Sequence, residues 1–112
     1  MKSLKVGDVV LVDCYKAIFG GRFIIGQSAA SGKLAFTPAT SFTKFRYWYP
    51  TLSGLNSAVG VYVDGALIDT INQNAAAGFT YKDYTVSSGT HTIEFGVGSG
   101  AGNGFVAGVE IS

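Results

Sequence analysis

Apolar residues in this chain recur mainly at every second position, in short runs broken by glycine and serine. That is the period of half-buried strands, and the sparse helix formers offer no competing pattern. The clearest case is residues 42–49. Alternation turns Phe45, Tyr47 and Tyr49 one way and Lys44, Arg46 and Trp48 the other. Pro50 is expected to end that strand, with a loop over 51–57. Two further apolar runs, 59–63 and 66–71, flank Asp64-Gly65. Asp-Gly between such runs predicts a hairpin, because a type I′ turn needs positive φ at both central residues. A two-residue loop sets Val63 opposite Ala66 and Val61 opposite Ile68, with Tyr62 and Leu67 sharing the other face.

The rest of the chain follows the same rhythm. Residues 72–78 read as a loop, 79–86 as a strand and Ser87-Ser88-Gly89 as a turn. Within 91–97, His91, Ile93, Phe95 and Val97 share a face, and Thr92 and Glu94 the other. After a glycine loop over 98–104, alternation over 105–111 puts Phe105, Ala107, Val109 and Ile111 together. In the first forty residues, strands are expected over 8–12, 22–25 and 33–37, with a Gly20-Gly21 turn and a loop over 28–32. About eight or nine short strands, spaced roughly 10–12 residues apart, predict an all-β, antiparallel sandwich or barrel. No internal repeat or linker divides the chain, so residues 1–112 form a single domain in this reading.

Composition narrows the function classes. Of 112 residues 47% are hydrophobic, which excludes intrinsic disorder. The net charge of +1 builds no electrostatic footprint for nucleic acid. Apolar runs such as Val9-Val10-Leu11-Val12 are far below the roughly 20 residues of a membrane span. The first residues show no signal-peptide pattern. Only 13% of residues are charged, where a soluble domain carries about 25%. That shortage points to a surface that meets a ligand, a sister chain or a neighbouring domain.

Candidate chemistry is thin. Cys14 is the one cysteine, so it forms no internal disulfide and reads as a small buried hydrophobe. His91 is the one histidine and reads as a hydrogen-bonded structural residue before a base at the rim. There is no Gly-x-Ser-x-Gly elbow and no ligand cluster for zinc. Glu94 and Glu110 suit glycoside hydrolysis only if their strands bring them to one site, and otherwise read as solvated carboxylates. The 96–104 glycine segment lacks the lysine and following helix of a phosphate loop, and reads as a connection or a rim loop. No catalytic residue, metal or cofactor is expected.

Trp48 is the most informative position. An outward Trp48 and Tyr62, interleaved with Arg46, Asp69 and Glu94, suit a sugar, whose C–H face stacks on an aromatic ring while polar groups take its hydroxyls. The plainer alternative is that Trp48 packs under a loop or against another chain or domain.

Several segments then follow a recurring pattern: Gly32-x-Leu34-x-Phe36, Phe42-x-Lys44-Phe45-Arg46-Tyr47-Trp48, Val61-Tyr62-Val63-Asp64-Gly65, and Gly89-Thr90-His91-Thr92-Ile93-Glu94-Phe95. This resembles jelly-roll modules found beside SGNH-type esterase domains and in bacteriophage tail fibres and tailspikes, which are similar to carbohydrate-binding modules. The match spans roughly residues 32–111, and the first thirty residues carry no matching motif. The resemblance implies jelly-roll topology and non-catalytic recognition of a cell-surface polysaccharide, in a virion tail or outside the cell. Its alternative is a structural module packed against a neighbouring domain or in a homotrimeric fibre. It transfers no binding residues, and the SGNH catalytic motifs are absent.

Overall fold

The structure, a computed structural model, describes residues 4–6, 9–11, 16–26, 33–98 and 102–112. Cys14 and the 28–32 loop lie outside the described residues. The strands are β1 (Leu4–Val6), β2 (Val9–Leu11), β3 (Lys16–Gly26), β4 (Lys33–Phe36), β5 (Phe42–Thr51), β6 (Val59–Val63), β7 (Ala66–Ile71), β8 (Gly78–Gly89), β9 (Ile93–Val97) and β10 (Gly104–Ile111). β1 and β2 pair with each other. The others form two antiparallel sheets, in the orders β3-β10-β5-β8 and β4-β9-β6-β7. The protein is all-β, and the arrangement is consistent with a generic β-sandwich.

One core serves both sheets. Phe45, Tyr47, Val106, Val109 and Ile111 from the first meet Val59, Val61, Ile93 and Phe95 from the second, all within 2% of complete burial. The Tyr47 and Phe95 rings, from opposite sheets, lie 4.3 Å apart at their centroids. The inward set read from β5 holds, with Phe45 and Tyr47 buried and Tyr49 packed against the core. The Asp64-Gly65 turn also holds, with φ of 51° and 87° at its two residues.

Several local expectations are corrected, most by irregular pairing. β3 runs straight through Gly20-Gly21, where a turn was expected. Against β10, the register steps from Val106↔Phe23 to Gly108↔Gly20, so the glycine pair sits at a bulge. The same irregularity shifts the face of β10. Val106 joins Val109 and Ile111 in the core, while Phe105 and Ala107 are only half-buried. In the hairpin, Tyr62 pairs with Leu67 but Val61 pairs with Asp69, not Ile68. The extra residue on β7 leaves Ile68 exposed and turns Asp69 to the side that Val61 buries. β8 continues through Ser87-Ser88-Gly89 because its pairing with β5 extends to Phe42↔Gly89. β5 passes Pro50 to reach Thr51, a position beyond the Phe45–Trp48 stretch that pairs with β10. His91 precedes β9 instead of opening it.

Candidate functional site

The outer face of the β3-β10-β5-β8 sheet carries an aromatic strip. It is built from three successive cross-strand pairs between β5 and β8: Arg46↔Asp83, Trp48↔Tyr81 and Pro50↔Phe79. Directly opposed residues on antiparallel strands point to the same face, so each pair adds to one surface. Trp48 and Phe79 stack at 5.3 Å with 16° between ring planes. Tyr81 tilts against Trp48 at 4.8 Å. Phe79 stays 61% exposed and Tyr81 44%, so the strip meets solvent.

Polar groups frame these rings. Arg46 donates to both Asp83 oxygens, from Nε at 2.8 Å and Nη2 at 3.0 Å. Its guanidinium also lies 3.9 Å from the Tyr81 ring centre, a cation–π contact. On the β10 side, Glu110 pairs with Arg46 in register and accepts the Trp48 indole N–H. The carboxylate therefore fixes the indole and leaves its neighbour Phe79 protruding. Next to Phe79 in the sheet, Pro50 and Gly78 line a largely apolar pocket of about 290 Å³ together with Leu52, Leu55, Ala77 and Phe105. Among the described lining residues Thr51 has the one polar side chain.

The five residues singled out from sequence do not share this face. Arg46 and Trp48 are brought together. Tyr62 and Glu94 pair with each other on the second sheet, where the Lys33 ammonium sits 3.9 Å over the Tyr62 ring. Asp69 stands between the sheets, bound to Lys82 Nζ at 2.6 Å and the Tyr84 hydroxyl at 2.8 Å. Burial works to raise the Asp69 carboxyl. Hydrogen bonds from Lys82, Tyr84 and the Thr70 amide outweigh it and hold the group below its ordinary range. The β7 bulge explains the placement: in an unbroken register Asp69 would share the outward face of Tyr62 and Leu67.

Three members of the strip, Phe79, Tyr81 and Asp83, escape the sequence reading. The sequence marks 79–86 as a strand, but only the β5–β8 pairing puts them beside Trp48. Glu94 and Glu110 stand on different sheets and do not flank one site. His91 is hydrogen-bonded within the fold: Nδ1 meets Asp64 Oδ2 at 2.6 Å and Nε2 meets the Ser87 carbonyl at 2.7 Å. It borders a shallow cleft of about 440 Å³ that Val63, Ile68, Tyr84 and Val86 also line. Among the described residues no three His, Cys, Asp or Glu side chains gather as metal ligands. Compared with models of protein families and with curated protein sequences, the chain matches none.

Proposed function

We propose that this protein is a non-catalytic carbohydrate-binding module, and that the Trp48–Phe79–Tyr81 strip is its sugar platform. The observation that carries the reading is an exposed, rigidly held aromatic surface edged by Arg46, Asp83 and Glu110. Pyranose C–H faces stack on such rings, and the flanking groups accept or donate to hydroxyls. The jelly-roll topology belongs to the same proposal. Numbering the eight strands from β3 to β10 as one to eight gives sheet orders 1-8-3-6 and 2-7-4-5, the order that two interleaved Greek keys produce. The cell-surface polysaccharide as ligand, and a virion tail or extracellular modular esterase as the setting, rest on the resemblance.

A glycan array followed by titration against bacterial capsule and lipopolysaccharide tests the reading. Binding is expected, with Trp48→Ala weakening it by about tenfold, the worth of one stacking contact near 1.4 kcal/mol. No binding to any glycan removes the class, and undiminished binding by the variant removes the platform.

A structural role against sister chains or a neighbouring domain is the second reading. It is favoured by the edge strand β7, where Leu67 and Ile68 are 56% and 45% exposed. Light scattering distinguishes the two, since an obligate assembly would not yield a monomer.

A further inference from the structure

The pocket at the Phe79 end of the strip has a chemistry of its own. Pro50 and Gly78 line it, and they are the residues opposite and next to Phe79. A ligand stacked along Trp48 and Phe79 is thereby brought to residues that border the pocket. Among the described residues that line it, none is charged. Among the described lining residues the Thr51 hydroxyl is the one polar side-chain group, and its proton already goes to the Ala76 carbonyl at 2.7 Å, which leaves only its acceptor lone pairs. A sugar hydroxyl entering this space would lose water and find at most that one side-chain acceptor among them. A carboxylate or phosphate would meet no countercharge among the described lining residues. A methyl group meets a lining that is mostly apolar.

Resting on the carbohydrate reading, we infer that this pocket selects a neutral sugar carrying a methyl-terminated substituent, either the methyl of a 6-deoxy sugar or that of an acetyl group. The aromatic strip supplies general affinity for pyranose rings, and the pocket supplies the preference.

The test uses immobilised, multivalent sugars in matched pairs: L-fucose against L-galactose, L-rhamnose against L-mannose, and N-acetylglucosamine against glucose, with glucuronate as the charged control. Within at least one type of pair, the methyl-bearing member is expected to bind about tenfold tighter, the discrimination one apolar group provides in such a pocket. Which type responds separates the deoxy from the acetyl source. Ala77→Leu, at an exposed loop position, narrows the pocket and should erase that preference, bringing the two members of the pair to equal affinity. Equal binding within every pair, stronger binding to glucuronate, or a preference that survives Ala77→Leu overturns the inference and leaves the platform standing. Absence of binding to all of these sugars and to the wider array overturns both.

Discussion

Gln73 and Tyr47 meet in the interior, where Gln73 Nε2 donates to the Tyr47 hydroxyl over 2.8 Å. Both side chains are fully buried. The same Nε2 reaches the Phe105 carbonyl at 2.9 Å, and the Phe105 amide donates to Gln73 Oε1 at 2.9 Å. Tyr47 also donates to that carbonyl at 2.6 Å. The loop after β7, the centre of β5 and the start of β10 are thereby locked to one another. Burial pushes the Tyr47 phenol far above its ordinary range, even though the Gln73 bond pulls the other way.

Removing Gln73 should therefore cost more than removing the hydroxyl it binds. Gln73→Leu strands the Phe105 amide and is expected to destabilise by about 2–3 kcal/mol. Tyr47→Phe leaves the Gln73–Phe105 bonds in place and should cost about 1 kcal/mol. Urea denaturation of the two variants checks the order, and a larger loss for Tyr47→Phe would contradict it.

Phe79→Ala should separate binding from stability. The ring is mostly exposed, so the fold should lose less than about 1 kcal/mol, whereas glycan affinity should fall several-fold. Trp48 is the chain's one tryptophan, so its emission reports directly on the strip. Glycan binding is expected to shift that emission, and a spectrum indifferent to a bound glycan would place the ligand elsewhere.

The Asp64–His91 pair predicts a pH optimum. A carboxylate and a carbonyl both accept, so the pairing favours the imidazole with both ring nitrogens protonated. Hydrogen bonding to Asp64, then to the Ser87 carbonyl, raises the His91 pKa above its usual 6.5. Its contribution is complete below 6.5 and is lost as pH rises through the raised folded value. The His91 bond, followed by the Thr92 amide, lowers Asp64 below 3.8. Its contribution is complete above 3.8 and disappears as pH falls through the lowered value. Thermal melts should show the pair's contribution greatest between about 4 and 6.5. His91→Gln should flatten the alkaline limb, and an unchanged limb would refute the pairing.

Gly102 and Gly54 offer a matched comparison of backbone positions, with φ of 97° and 95°. A Cβ at Gly54 would meet open space, but one at Gly102 would come within 2.3 Å of the Gly54 carbonyl oxygen. That contact is tight because the Asn103 carbonyl accepts the Asn56 amide at 2.9 Å. Gly54→Ala should cost about 1–2 kcal/mol for conformation alone, and Gly102→Ala clearly more. Denaturation midpoints of the two variants settle the ranking, and equal midpoints would refute it.

These cases show which features the sequence carries. Alternation alone put Phe45 and Tyr47 inside and Arg46 and Trp48 outside, because a strand's period fixes the face of every residue until something interrupts it. The Asp64-Gly65 turn was legible because few residue pairs take positive φ twice. The bulges at Ile68 and at Gly20-Gly21 were not, since an extra residue is defined only against a partner strand. One such bulge carried Asp69 off the face assigned to it. The strip was half legible for the same reason. Trp48 announced itself, but Phe79 and Tyr81 become its neighbours only through a pairing between distant segments.

β10 lies between β3 and β5, so the last of the sheet's four strands in chain order occupies an inner seat. During synthesis β3 and β5 emerge first and have nothing between them. Until residues 104–111 leave the ribosome, a nascent chain that had formed the rest of this sheet would hold Phe45 and Tyr47 beside an unfilled slot with an unpaired edge of β3 and of β5. Completion of the fold is therefore a late, long-range event. A chain interrupted before Gly104 would be left without the partner that both neighbours need, and in that state it would be prone to pair with other chains.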